Sequence, residues 1–183
     1  MRDSVSLGLS AGFSRLTIGH STHSIDEFMR MLRAHGVETL IDVRTIPRSR
    51  HNPQFNRETL PESLQAAAIE YVHMPGLGGL RRARPGSVNT GWKNLSFRGY
   101  ADYMQTPEFG AALHQLIELS SARRTAVMCS EALPWRCHRS LIADALNVRG
   151  IPVEHIMTAA SRKPHTLTSF GHVDGDKITY TLP

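Results

Sequence analysis

Two periods of apolar and polar positions run along this chain. Short apolar runs bounded by turn residues predict strands, and apolar stripes at helical spacing predict helices between them. Arg15-Leu16-Thr17-Ile18-Gly19 reads as the first strand. Ser24 and Glu27 then form an S-x-x-E capping box. Ile25, Phe28, Met29 and Leu32 give the helix behind it one apolar face, and Gly36 ends it. Residues 39–44 read as a second strand, apolar at its centre and polar at its C-terminal end. Glu58 to Ile69 predicts a helix with Leu60, Leu64 and Ala68 inward, and Glu70 to Met74 a third strand stopped by Pro75.

Tyr100 to Gln105 predicts a short helix. Thr106-Pro107-Glu108 supplies a cap, a proline at the first helical position and a favourable acid. The helix that follows is expected to bury Phe109, Ala112, Leu113, Leu116 and Ile117. Ala126-Val127-Met128 is the apolar centre of a fourth strand, and Pro152 to Met157 is a fifth. Between them Leu141, Ile142, Ala145 and Leu146 form a helical stripe, with Gly150 placed to end it. Asp174-Gly175, between Val173 and Ile178, predicts a hairpin-like tail.

Strand and helix thus alternate five times. This predicts an α/β fold over residues 15–183: one domain, a mostly parallel five-stranded sheet and helices on both faces. Residues 1–14 are expected to be a flexible lead-in. Parallel strands joined by right-handed crossovers place every strand C-terminus on one edge, where such sheets bind ligands. The residues expected there are His20-Ser21, Asp42 and Arg44, His73, Cys129 to Glu131, and His155.

The stretch Thr125 to Arg149 carries the densest chemistry, since both cysteines of the protein lie in it. Cys137, with His138, Arg139 and Ser140, is expected in the first turn of the predicted helix, and its neighbours Arg136, His138 and Arg139 favour thiolate. It is the candidate nucleophile, against the alternative of a small buried thiol. Cys129, at a strand end, is a second catalytic candidate with the same alternative. Glu131 is the only carboxylate of the loop between them. With Asp42 it could act in acid/base catalysis; equally, Asp42 and Glu131 could pair with Arg44 and Arg139. His20, Ser21, Arg44, Arg48, His138 and Arg139 are the candidate anion-binding residues, arginine's planar fork being suited to phosphate. Cys129, Cys137 and His138, with His20 or His73, are suitable zinc donors. C-x7-C-H is not a standard ligand spacing, however, and no metal is expected.

Charge sharpens the choice of partner. A net charge of +5 suits a phosphate-bearing small molecule or a nucleic acid. Residues 76–99 lack a clear period and hold Arg81, Arg82, Arg84, Lys93 and Arg98 with no acidic residue. A loop this long is functional or disordered. Trp92, Phe97, Tyr100 and Trp135 lie nearby and could stack on bases. No apolar run approaches the ~20 residues of a membrane span. The absence of a secretory leader pattern and the presence of only two cysteines point to a cytoplasmic protein. Neither a Walker A loop nor a G-x-G-x-x-G fingerprint occurs, so no nucleotide cofactor is expected. Oligomeric state has no signature here.

Several motifs resemble one family. They are T-I-G-H-S-T at 17–22, L-I-D-V-R-x-x-P-x-S at 40–49, the Leu77-Gly78-Gly79 turn, R-x-Y-x-x-Y-M at 98–104 and M-C-S-E-x-x-P-x-x-C-H-R at 128–139. Together they are similar to the DUF488 family of uncharacterised bacterial and archaeal proteins, over about Leu16 to Met157. The resemblance implies a compact α/β domain and no settled reaction. L-I-D-V-R followed by strand, cysteine, loop and helix also resembles rhodanese and, more loosely, cysteine-dependent phosphatases. That likeness makes Cys129 the nucleophile and Arg136 the closing arginine, although the loop is one residue longer than C-x5-R and lacks glycine. The leading expectation is an enzyme acting on a phosphate-bearing substrate, a nucleotide or nucleic acid. The alternatives are a non-catalytic binder of the same ligands, and rhodanese-like sulfur or phosphoryl transfer through Cys129.

Overall fold

The computed structural model describes residues 14–182. The expected lead-in therefore lies, but for its last residue, outside the described residues. The elements are β1 (Arg15–Gly19), α1 (Ile25–Ala34), β2 (Thr39–Asp42), α2 (Leu60–Gln65), β3 (Glu70–His73), α3 (Leu95–Tyr103), α4 (Pro107–Leu119), β4 (Thr125–Cys129), α5 (Arg139–Asn147), β5 (Val153–Thr158), β6 (Ser161–Pro164), β7 (Gly171–Asp174) and β8 (Lys177–Tyr180). The main sheet runs β3-β2-β4-β1-β5-β6. Its first five strands are parallel, and β6 folds back antiparallel on β5. β7 and β8 form a separate hairpin, with Gly175 at φ 60° in its two-residue loop.

Strand alternation sorts the sheet residues onto two cores. Leu16, Ile18, Leu40, Ala126 and Met128 pack with Phe28 and Leu32 of α1 and Leu60 and Leu64 of α2. Ile41, Val43, Val127 and Cys129 pack on the other face with Leu113 and Leu116 of α4 and Leu141 and Ile142 of α5. The helices are capped as the sequence suggests. The Ser24 hydroxyl accepts from the Glu27 N–H at 3.2 Å, and the Thr106 hydroxyl from the Phe109 N–H at 3.3 Å.

The strand order places the site. β1 and β4 are neighbours in register, Gly19 opposite Cys129. The helix after β1 lies on one face of the sheet, and the helix after β4 on the other. Their connecting loops diverge and leave a crevice at the strand ends, the position where open α/β sheets bind ligands.

Several expectations are corrected. The sheet has a sixth strand, β6, whose residues are all exposed and so carry no apolar alternation. Helix α2 stops at Gln65, and Ala68 turns outward at φ 57° while Ile69 fills the core in its place. Helix α3 begins at Leu95, capped by the Asn94 side chain, and so takes in the end of the aperiodic stretch. Cys137 is not in a helical turn: a short turn at Pro134–Arg136 leaves it extended, and α5 starts two residues later. His155 is not at the strand end. It pairs across from Thr17 in mid-sheet.

Candidate functional site

The crevice between β1 and β4 opens into a cleft of about 740 Å³. His20, Ser21 and Thr22 line it from the loop after β1, Arg44 and Arg48 from the loop after β2, and Cys129 to Ala132, Arg136, Cys137 and His138 from the loop after β4. The loops around His20, Arg44, Glu131 and His138 thus converge on one cavity.

Both cysteines are at its floor, Cys129 6% and Cys137 3% exposed, and both are free. His138 Nδ1 lies 4.0 Å from the Cys129 sulfur and 3.8 Å from that of Cys137. The Cys129 thiol is held well below the usual thiol range. The Cys137 S–H donates to it, His138 donates and contributes positive charge, and the Ser130 N–H adds a third donor, together outweighing burial. Cys137, the donor of that contact, is pushed up by the same hydrogen bond and by burial. Of the two neighbouring thiols, Cys129 is therefore the one that ionises first. The imidazole stacks obliquely on Tyr100, ring centroids 4.9 Å apart, and the Tyr100 hydroxyl is anchored on the Leu77 carbonyl at 2.8 Å.

The ligand atoms of Cys129, Cys137 and His138 lie within 4.8 Å of one another. They could supply three corners of a tetrahedral site for a thiophilic divalent ion, with the cleft on the fourth side.

The loop after β2 is built around a buried ion pair. Asp42 is fully buried and takes Arg44 Nη2 at 2.6 Å and Arg44 Nε at 2.9 Å. The Tyr71 hydroxyl donates to the same carboxylate at 2.8 Å. Arg44 also donates to the Phe55 carbonyl at 2.6 Å and contacts His20 Nε2 at 3.1 Å. His20 Nδ1 reaches the Ser21 carbonyl at 2.9 Å, which assigns its proton to that nitrogen. Burial pushes His20 down to about 4, and the Ser21 contact only partly opposes this. Both ring nitrogens are therefore occupied in a neutral imidazole.

The loop after β4 is held from behind. Arg139 is 1% exposed, and its two Nη groups donate to the carbonyls of Glu131 at 2.6 Å and Ala132 at 2.8 Å. Because trans peptides carry C=O and N–H on opposite sides, the N–H groups of Ala132 and Leu133 face away from Arg139. Gly19 makes this possible. A Cβ there would lie 1.8 Å from the Glu131 carbonyl oxygen.

The family model for "Domain of unknown function DUF488" matches residues 24–146, well over half of the sequence. The chain belongs to the DUF488 family. No curated protein and no solved structure matches.

The DUF488 match runs from the cap of α1 nearly to the end of α5. It thus includes the arginine and cysteine loops of the cleft but not β1 or the loop after it, which supplies His20 and Ser21. Within the DUF488 cleft, Cys129, Cys137 and His138 come together, and Glu131 is an exposed carboxylate on the wall. Arg48 and Arg136 reach the wall as exposed cations. Asp42 and Arg139 are placed otherwise: neither lines the cavity, and each anchors a loop that does. Asp42 is paired with Arg44 as one expectation had it, whereas Arg139 meets the Glu131 backbone, not its carboxylate. His73 is turned to the Arg44 carbonyl at 2.9 Å.

Sequence reasoning missed Tyr71 as a partner of Asp42 and Phe55 as the floor under His20, stacked at 4.3 Å. It also missed a buried polar chain on the far side of β1. Thr17 Oγ1 meets His155 Nδ1 at 2.6 Å, His155 Nε2 meets His165 Nδ1 at 3.0 Å, and His165 Nε2 meets Asp144 Oδ1 at 2.8 Å. Tyr180 and Thr168 complete the Asp144 carboxylate. Each ring nitrogen in this chain is engaged, so its role is to tie β1, β5, α5 and β8 together. Among the described residues no helix is long and apolar enough to cross a membrane.

Proposed function

We propose that the chain is an enzyme in which Cys129 attacks a phosphate-bearing substrate held in the cleft. The observation that carries this is the Cys129 sulfur on the cavity floor, beside a second thiol and an imidazole nitrogen that can both donate to it. A thiolate is the nucleophilic form of cysteine. Arg48 and Arg136 on the walls suit the charge of a phosphate. The sulfur would bond to the phosphorus while the bond to the leaving oxygen breaks. That oxygen would take a proton from an acid on the wall, where Glu131 is the available carboxylate. Water then releases the phosphoryl group and restores the thiol pair.

Cys129 is favoured over Cys137 as nucleophile, since Cys137 is the donor in their contact. The test is intact-protein mass spectrometry after mixing with p-nitrophenyl phosphate, alongside nitrophenol release. The expected result is a phosphoryl adduct on Cys129, no turnover in Cys129→Ser and residual turnover in Cys137→Ser. Turnover that survives Cys129→Ser would overturn the reading. A persulfide on Cys129 after thiosulfate, with no phosphoryl adduct, would replace it by sulfur transfer.

A further inference from the structure

Beside the cleft lies a second, basic cavity that a small phosphate ester would leave unused. It is a groove of about 670 Å³ lined by Arg81, Arg82, Arg84, Leu95, Ser96 and Arg98. Ser96 lines the cleft as well, so the two spaces meet there. The groove is formed by the stretch that has no period in the sequence, and its backbone is nevertheless fixed. Asp102 on α3 accepts from the Arg84 N–H at 2.8 Å, the Ser87 hydroxyl at 2.5 Å and the Asn89 amide at 2.8 Å. The strand of loop from Arg81 to Ala83 lies directly on Gly99, where a Cβ would come within 2.3 Å of the Arg81 carbonyl oxygen.

Charge is one-sided along the joined cavities. Among the described residues, seven arginines line them, against one carboxylate, that of Glu131. Arg44 is neutralised by Asp42, and Arg81 and Arg98 donate to the Gly78 and Trp92 carbonyls. Arg48, Arg82, Arg84 and Arg136 are exposed, and none forms a salt bridge among the described residues. Between them stand the exposed apolar side chains Ile46 (66%), Leu80 (78%) and Leu95 (64%). Cations repeated along a track, with apolar faces between them, match a polymer of phosphates and bases better than one anion. The cleft floor also restricts the form of that polymer. Cys129, a residue only 6% exposed at the cleft floor, is out of reach of a base-paired strand unless a nucleotide is extruded.

Resting on the function proposed above, we infer that the substrate is a single-stranded polynucleotide. One nucleotide enters the cleft, and the phosphates of its neighbours lie on Arg82 and Arg84 along the Ser96 groove. Fixing the loop through Asp102 and Gly99 holds these arginines in place before the strand arrives, which limits the ordering cost of binding.

The test is fluorescence anisotropy with a labelled oligouridylate about twelve nucleotides long, the span of a typical single-strand site. Binding should weaken with salt with a log–log slope of about −3, from four arginine–phosphate contacts at about −0.7 each. In Arg82→Ala/Arg84→Ala the slope should halve and affinity fall at least tenfold, while protection of Cys129 from alkylation by UMP stays unchanged. Arg30→Ala/Arg33→Ala, an equal loss of charge on α1, should bind as the parent does. Strand binding is read by anisotropy and the chemistry by adduct and turnover, so loss of the chemistry with binding intact overturns the function proposed above, and loss of binding with the chemistry intact overturns this inference alone. The inference is overturned if the Arg82/Arg84 variant binds the strand normally, if the α1 control loses as much, or if a duplex of the same length or inorganic polyphosphate competes as well as the single strand.

Discussion

Gly19 and Arg139 are packed so that no side chain fits on the glycine between them. A Cβ on Gly19 would lie 2.7 Å from Arg139 Nη1, as well as against the Glu131 carbonyl that this nitrogen holds. The shape of the cysteine loop therefore depends on a missing methyl on β1 and a buried guanidinium on α5. Gly19→Ala forces backbone to move, and overpacking of this kind costs about 1–3 kcal/mol. A lower urea midpoint together with slower alkylation of Cys129 is expected. A variant with parental values of both would show that the loop does not need this contact.

Asp42 is where structural and catalytic roles separate. Asp42→Ala leaves the Arg44 guanidinium buried without its counter-charge and is expected to cost about 3–5 kcal/mol in urea unfolding. Asp42→Leu/Arg44→Met removes both charges and should recover most of that loss. Recovery of stability with retention of Cys129 reactivity identifies the pair as scaffolding. If the double variant is as unstable as Asp42→Ala, the loss comes from the hydrogen bonds of Phe55 and Tyr71 and not from the orphaned charge.

The two buried histidines give the fold an acid limit. His155 is pushed down to about 3 by burial and by the positive neighbours His165, Arg139 and Lys163, and His20 down to about 4. An unfolded histidine takes its proton near 6.5. The folded state thus excludes protons that the unfolded state binds, and the stability from this difference is full above about pH 6.5 and lost as pH falls towards 4 and 3. Within that window each group removes up to about 1.4 kcal/mol per pH unit. Urea midpoints should be level above about pH 7 and drop towards pH 4.5, with the slope roughly halved in His155→Gln. An unchanged slope in His155→Gln would contradict the assignment of a buried neutral ring.

The sheet and its helices were legible because each carries a local signal: an apolar run, a stripe, or the caps at Ser24 and Thr106. β6 was not, since an edge strand exposed on both sides has no alternation to read. His155 was misplaced for a different reason. The strand stagger that sets Arg15 opposite Val153 is a tertiary property, and no run of residues encodes it. The sequence brought together the loops that line the cleft but could not rank their residues. Cys137 reads as part of a helix's first turn, and the turn at Pro134–Arg136 postpones that helix until Arg139. Arg139, in a C-H-R motif, reads as a ligand arginine. Only the folded loop reveals that its own carbonyls need a buried donor. The signal that could have found this was Gly19, a glycine at a strand end where close approach of another segment is one explanation.

The most direct test of the Cys129 thiolate is the pH profile of its alkylation by iodoacetamide, followed residue by residue by mass spectrometry. Cys129 should react first, with its half-maximal rate well below the free-thiol value of about 8.5, and Cys137 only at higher pH. A Cys129 that titrates at or above that value, that reacts after Cys137, or that is shielded by zinc carried through purification would contradict the account.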